Sequence, residues 1–495
     1  MTDRRARVAI IGAGFGGLGM AIALRRAGDD DFVILEKGDD VGGCWRENSY
    51  PGAACDVPSH LYSFSFEPKF DWSRRYAPQA EIFAYLRHCA DKYGLRPHIR
   101  FGTEVRAADF DATEGRWRIT TGGGEVISAR ALVSACGQLS RPALPRLDGL
   151  ETFGGVTFHS ARWNHDYELT GKRVAVVGTG ASAVQFVPEI VPRVAQLSLF
   201  QRSAPYVIPK PDRVYGAISR ALLGRVPGLL ALSRGRVYAR NEARGLALLQ
   251  FPSLLRLYVT LFRRHLARNI SDPRLRARLT PDYPMGCKRI LISNDYYPAL
   301  AQPHVEVVTE EIERVVPRGI VTRDGRTRAV DAIIFGTGFT ATQFLAPMAV
   351  RGLGGRLLDE AWRAGAEAYL GMTVSGFPNL FLLYGPNTNL GHNSIVYMLE
   401  SQIAYVMQCL QALDAQELRY LDVRADVQHS FNEALQEQLE RSVWASGCTS
   451  WYQTADGKQT NNWPGFTFTY RRRTRRPDFN AFAKVSARAG TVSVR

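Results

Sequence analysis

Two short apolar runs in this 495-residue chain each end in a glycine cluster. Val8-Ala9-Ile10-Ile11 leads into Gly12-Ala13-Gly14-Phe15-Gly16-Gly17, and Val174-Ala175-Val176-Val177 leads into Gly178-Thr179-Gly180-Ala181-Ser182-Ala183. A helical pattern follows each cluster. The spacing has a mechanical reason. The first glycine makes a tight turn, the second lets a pyrophosphate approach the backbone, and the third position lets the helix pack on the strand. Ala183 at that third position still permits close packing. The pyrophosphate then rests on the amides of the helix N-terminus. The chain is therefore expected to be α/β, with two Rossmann-like dinucleotide-binding domains. Gly12, Gly14 and Gly17 would cradle one dinucleotide, and Gly178, Gly180 and Ser182 the other. An empty strand-to-helix turn is the plainer reading of either cluster, but two in one context count against it. A chain that binds two dinucleotides is usually an electron-transfer enzyme.

The strand after each cluster tells the two sites apart. Val33-Ile34-Leu35 ends in Glu36, about twenty residues beyond the glycines, where a carboxylate accepts from a ribose hydroxyl. That fits FAD or NAD and disfavours a 2′-phosphate. Leu197-Ser198-Leu199-Phe200 ends in Gln201-Arg202-Ser203, which puts a guanidinium in the carboxylate's place and fits NADPH.

Apolar content of 45% and charged content of 22% are those of a globular chain. Met1-Thr2-Asp3-Arg4-Arg5 enters the first strand at once, so no signal peptide is expected, and no apolar run reaches the roughly twenty residues of a membrane span. Seven cysteines without a Cys-x-x-Cys pair are read as reduced thiols in a cytoplasm, with neither zinc nor a disulfide framework. The net charge of +15 is concentrated in an arginine- and leucine-rich stretch at about 213–280. We read that stretch as a helical insertion whose arginines form a solvated face and a positive rim around a phosphate-bearing cofactor. Weak association with a membrane surface is the alternative, and no nucleic-acid motif is present.

Domain boundaries follow from punctuation. Residues 1–145 form the first unit and end in the linker Ala135-Cys136-Gly137-Gln138-Leu139-Ser140-Arg141-Pro142-Ala143-Leu144-Pro145. Residues 146–337 form the second unit, which carries the insertion and ends at Gly336-Thr337-Gly338, and residues 338–495 return to the first. The result is an FAD domain interrupted by an NADPH domain. In the returning part, Asn393 or Ser394 is expected to cap a helix from Ser394 to Leu413 whose positive end faces the flavin ring.

Three further motifs carry a resemblance over nearly the whole chain. They are Phe153-x-Gly155-x-x-x-His159-x-x-x-Trp163; Gly42-Gly43-Cys44-Trp45 with Tyr50-Pro51-Gly52 and Asp56; and Cys287-Lys288-Arg289 with Asp295-Tyr296-Tyr297. In these the chain resembles the class B flavoprotein monooxygenases and, within them, the Baeyer–Villiger monooxygenases. Trp163 favours that subgroup over N- and S-oxidising relatives, which usually carry Tyr or Phe there. Asn164 stands where the subgroup has Pro or Asp, and Cys136 where the family has Thr.

The resemblance implies FAD and NADPH as cofactors, O2 as co-substrate, and insertion of oxygen into a ketone through a C4a-peroxyflavin. Sulfide or amine oxidation is the alternative. It further implies that Arg289, oriented by Asp56, is catalytic and that Arg202 and Lys288 hold the 2′-phosphate. Trp45, Gln138 and Asn387 would contact cofactor, Phe153, Gly155, His159 and Trp163 would mark a hinge, and Trp451 would belong to a lid. No metal is implied. A flavin reductase of the disulfide type is disfavoured, because no close cysteine pair lies in the first domain.

Overall fold

The computed structural model describes residues 4–448 and 450–487. Strand Arg4–Ile11 is apolar on both faces from Val8 onward, a pattern that is stable only between paired neighbours and under covering layers. It runs parallel between Phe32–Leu35 and Val126–Ser134. The sheet order is Ala349–Arg351, Val105–Asp111, Arg116–Thr121, Val126–Ser134, Arg4–Ile11, Phe32–Leu35 and Ile99–Arg100, and Leu380–Leu382 also pairs with Val126–Ser134. Strands before residue 135 and after residue 348 thus share one sheet. Helices Phe15–Arg26 and Ile395–Ala415 cover one face together. Leu399 approaches the first helix at Gly16 and Ile403 at Gly19.

A second, all-parallel sheet of five strands lies between these two passes. Its order is Val305–Val308, Gln196–Phe200, Arg173–Val177, Ala332–Phe335 and Val156–His159. The architecture is therefore two Rossmann-like domains, one inserted in the other. The two crossings run side by side: Ala143 N donates to Gly338 O at 2.9 Å, Thr340 N to Arg141 O at 3.0 Å, and Thr337 Oγ1 to Ala143 O at 2.5 Å.

The run from Phe153 to Trp163 lies along this seam. A Cβ at Gly155 would meet Asp331 O at 2.3 Å, so only glycine fits. His159 pairs in register with Phe335, stands edge-on to Phe339, and accepts at Nδ1 from Ala161 N at 3.1 Å. Trp163 packs on Phe158 and Phe186, while Phe153 packs beneath the second sheet.

The insertion folds as helices Ala217–Arg225, Leu229–Leu249, Leu255–Asn269 and Pro273–Arg278. Its surface differs from the expected arginine face, because Ile218, Leu222, Leu232, Leu254, Leu257 and Leu261 are exposed as well. Among the described residues no single helix is long and apolar enough to cross a membrane, although the pair Leu229–Leu249 and Pro252–Asn269, bent by 107°, has the length and composition together.

The expectation of reduced thiols needs correction, because Cys287 and Cys448 form a disulfide with their Cα atoms 6.2 Å apart. Their sequence separation of 161 leaves no spacing motif to read, and only the tertiary fold brings them together. Cys44, Cys55, Cys89, Cys136 and Cys409 are free.

Candidate active site

Both glycine turns open into one cavity of about 1620 Å³, larger than the roughly 300–1,000 Å³ of a typical single-ligand pocket. At the first turn Gly12 has φ +99°, and a Cβ on Gly17 would lie 1.8 Å from Gly12 O. No side chain fits this cradle. Gly14 is the N-cap of the following helix and offers no side-chain cap, which leaves the helix amides to a ligand. Glu36 is buried and held on three sides: Oε2 accepts from Ala13 N at 2.8 Å, and Oε1 from Gly38 N at 2.8 Å and Arg46 Nη1 at 3.1 Å. A carboxylate has about four acceptor positions, so one remains for a ribose hydroxyl. Arg46, which directly follows the Gly42–Trp45 motif, was not singled out from sequence.

Trp45 and Gln138 also line this half. The Trp45 indole donates to Tyr62 Oη at 3.1 Å. Gln138 donates to Tyr384 O and Gly385 O, both at 3.2 Å, and accepts from Asn461 Nδ2 at 3.0 Å. Asn387 is placed differently. It is buried, donates to Gln459 O at 2.9 Å and Asn462 O at 3.2 Å, and lies outside the cavity lining, where Asn389 stands instead.

At the second turn Gly178 has φ +103°, and a Cβ there would meet Gly336 O at 2.6 Å. Gly180 and Ser182 line the cavity beside it. Arg202 and Lys288 share the adjoining wall. Lys288 Nζ donates to Ser203 Oγ at 3.0 Å and lies 4.4 Å from the Tyr283 ring centroid. Burial, and then the neighbouring Arg202 charge, lower the Lys288 pKa below its ordinary value. An anion placed between the two cations relieves that repulsion. No arginine of residues 213–278 lines this cavity, so the expected rim from the insertion is replaced by residues of the second domain itself.

Asp56 and Arg289 meet between the two halves. Arg289 Nε and Nη2 both donate to Asp56 Oδ2, at 2.9 and 2.5 Å. The guanidinium is enclosed by protein but remains 30% exposed because it faces the open cavity. Attraction to Asp56 holds its pKa above the ordinary arginine value against the cost of burial. Two tyrosines complete the surroundings, Tyr452 from the expected lid segment and Tyr384 from outside any motif. Burial pushes the Tyr452 phenol up to about 12 while Arg289 opposes that rise through its charge and a hydrogen bond. Tyr384, also raised by burial, donates to Asn389 Oδ1 at 2.6 Å. Trp451 lines the cavity with its ring 4.4 Å from that of Tyr452.

The helix Ile395–Ala415 starts at this wall, but its expected cap is absent. Ser394 is the N-cap residue without a side-chain cap bond, and Asn393 Oδ1 accepts only from Ser394 N at 2.9 Å. The Asn393 amide is engaged elsewhere, donating to the buried Glu242 of the insertion at 2.5 Å. Glu242 also accepts from Thr467 Oγ1 at 2.5 Å and lies 3.6 Å from His392 Nε2. Burial opposes its charge, and hydrogen bonds from His392, Thr467 and Asn393 outweigh it to lower the pKa.

Residues 9–219 match the family described as pyridine nucleotide-disulphide oxidoreductase. A Baeyer-Villiger monooxygenase of Pseudomonas aeruginosa is 52% identical over 97% of this chain and 91% of its own length. One of Streptomyces coelicolor is 48% identical over 98% and 95%. Among solved structures, an oxidised steroid monooxygenase bound to NADP superposes with a TM-score of 0.87 at 33% identity, over 98% of this chain and 100% of that one. A structure of OTEMO in complex with FAD and NADP gives 0.88 at 27% identity, over 97% and 99%.

Proposed function

This chain belongs to the Baeyer–Villiger monooxygenase family, NADPH-dependent FAD enzymes that use O2, and from that premise we propose which of its residues perform the reaction. Bound FAD, reduced by NADPH, supplies activated oxygen for insertion beside a ketone carbonyl, giving an ester or lactone. The chain must hold both dinucleotides, keep water out, and stabilise the negative charge that develops on the ketone oxygen as its carbonyl carbon is attacked.

The observation that carries the assignment is the fork of Arg289 on Asp56. Two of the five guanidinium N–H groups are spent on Asp56 and another bonds Tyr452, which leaves donors over on a group that lines the cavity. A fixed charge, oriented before the reaction and aimed at developing charge, is commonly the largest single catalytic contribution. Asp56 sets the plane of the guanidinium and keeps it charged. Gly12, Gly14, Gly17 and Glu36 hold FAD, with Trp45 and Gln138 along its length. Gly178, Gly180, Ser182, Arg202 and Lys288 hold NADPH, the two cations reading its 2′-phosphate. Asn387 fastens the segment 459–462 to the loop rather than touching cofactor, Trp451 is the lid residue, and the run Phe153–Trp163 braces the hinge. Domain boundaries fall at the paired crossings, giving residues 1–145 and 338–495 to FAD and 146–337 to NADPH.

Ketones are the proposed substrates, with sulfides and amines secondary, and the cytoplasm is the proposed location, where five of the seven cysteines stay unpaired. The insertion supports one further element, contact with an anionic membrane surface. Ile218, Leu232 and Leu257 are 79, 70 and 66% exposed in a stretch rich in arginine, a pattern suited to an interfacial helix. Mass analysis of products from a mixed ketone and sulfide panel with NADPH and air tests the substrate class. Esters or lactones should dominate, and exclusive sulfoxide formation would overturn it.

A further inference from the structure

The disulfide joins two segments that the reaction needs to coordinate. Cys287 directly precedes Lys288 and Arg289 and is fully buried. Gly286 before it has φ +94°, and a Cβ there would meet Leu248, Leu255 and Val443, so this stretch is wedged between the insertion and the C-terminal segment. Cys448 lies just ahead of Trp451 on the cavity wall and of Tyr452 beside Arg289. The far end of the same segment has no covalent tie and is held by the Lys458–Glu367 ion pair, by packing of Trp463 and by hydrogen bonds. Asn387 N donates to Thr460 O and Asn389 N to Asn461 O, each at 2.8 Å, and Asn461 reaches Gln138. One covalent bond therefore ties the near end of the lid to the loop that presents Arg289.

We propose that Cys287 and Cys448 are a peroxide-responsive thiol pair that locks the lid when oxidised and frees it when reduced. The inference rests on the roles given above to Arg289 and to the segment around Trp451. The other five cysteines are free, and a disulfide in a thiol-reducing compartment is usually transient and redox-sensing. Cys448 is partly exposed whereas Cys287 is not, so a small oxidant reaches Cys448 first.

The oxidant is hydrogen peroxide, which a flavin monooxygenase releases whenever reduction outruns substrate oxidation. The Cys448 thiolate displaces hydroxide from peroxide to give a sulfenic acid, and with one proton the hydroxide leaves as water. The Cys287 thiol then attacks that sulfur, forming the S–S bond and expelling a second water. Two sulfurs lose one electron each, and one peroxide becomes two waters. An external dithiol reverses the change by exchange, ending as its own cyclic disulfide. Lid opening limits turnover in many enzymes, so the oxidised form should turn over more slowly and protect itself from further uncoupling.

The test compares the FAD-loaded enzyme after dithiothreitol and after a small excess of hydrogen peroxide, beside Cys448→Ser. Peptide mass mapping with alkylation should find the 287–448 link only after peroxide, and reduction should remove it. Hydrogen exchange across 450–460 should be severalfold faster in the reduced enzyme and in Cys448→Ser than in the oxidised enzyme. NADPH turnover should rise severalfold on reduction in the parent and stay constant in the variant. A link that resists dithiothreitol in the folded enzyme overturns the proposal, and so does equal exchange in the oxidised and reduced forms. Neither readout uses a ketone, so failure there leaves the Baeyer–Villiger assignment untouched.

Discussion

Replacing Arg289 with alanine should separate NADPH consumption from product formation. In the parent, two N–H groups of Arg289 are anchored on one oxygen of Asp56, at 2.9 and 2.5 Å, and a further one bonds Tyr452, so the guanidinium that lines the cavity is fixed before the reaction. Removing one such preorganised donor typically costs a hundredfold to a thousandfold in the chemical step, about 2.7–4 kcal/mol. Hydride transfer needs only aligned rings, so flavin reduction should persist, slowed to the extent that NADPH binds less well. Ester or lactone formation should fall by about that hundredfold to thousandfold, and the NADPH consumed should be recovered as hydrogen peroxide. Arg289→Lys should regain part of the loss, because an ammonium keeps the charge but lacks the fork that satisfies Asp56 and substrate together. The assay is stopped-flow flavin reduction combined with product and peroxide quantification on one enzyme batch. Product formation near the parent rate in Arg289→Ala would refute the reasoning.

Alanine at Arg202 or Lys288 should raise the KM for NADPH about tenfold or more while leaving NADH nearly unchanged, as each charge-assisted contact is worth about 1.5–3 kcal/mol; equal losses with both cofactors would dismiss a phosphate role. Glu36→Ala should release FAD on dilution, measured by flavin fluorescence in the filtrate, because the amides of Ala13 and Gly38 and the Arg46 guanidinium lose their common anchor. Asp422 provides a pH test of stability, since burial raises its pKa to about 7 although Gly376 N donates to it. The folded state then holds a proton that the unfolded state releases. The contribution is full below pH 4 and is lost as pH rises through about 7, so Asp422→Asn should gain Tm relative to the parent at pH 8 and not at pH 4. Leu257→Asp with Leu232→Asp should abolish flotation with anionic vesicles without altering turnover of a soluble ketone; unchanged flotation would exclude the insertion as the contact.

The parts legible in the sequence are those set by neighbours along the chain. Gly12, Gly17 and Gly178 carry their reason locally, since a strand, a turn and a helix start must fit within six residues, and Glu36 follows at a fixed distance. The pairing of Asp56 with Arg289, 233 residues apart, came only through resemblance. Nothing in the spacing distinguishes that aspartate from a turn carboxylate. Tyr384 is not legible because a lone tyrosine has no periodicity, and its role is created by the cavity it lines, whereas Tyr452 is reached only as the neighbour of Trp451 in the expected lid. Arg46 could have been found, as it lies one residue beyond a motif already recognised. The disulfide and the side chains of Asn387 and Asn393 show the opposite limit, where partners from distant segments override what local spacing suggests. Asn393 is a good cap by propensity, but it lies one residue ahead of the N-cap Ser394, its Oδ1 accepts from Ser394 N rather than from a first-turn amide, and its Nδ2 is tied to the buried Glu242.

Oxygen insertion into a ketone is tested by a turnover under 18O2 in ordinary water with NADPH and a simple ketone, followed by mass fragmentation of the product. One 18O per ester or lactone is expected, located in the inserted bridging oxygen, with the carbonyl oxygen unlabelled. Unlabelled ester, or complete recovery of the consumed oxygen as labelled peroxide with no ester formed, would contradict it.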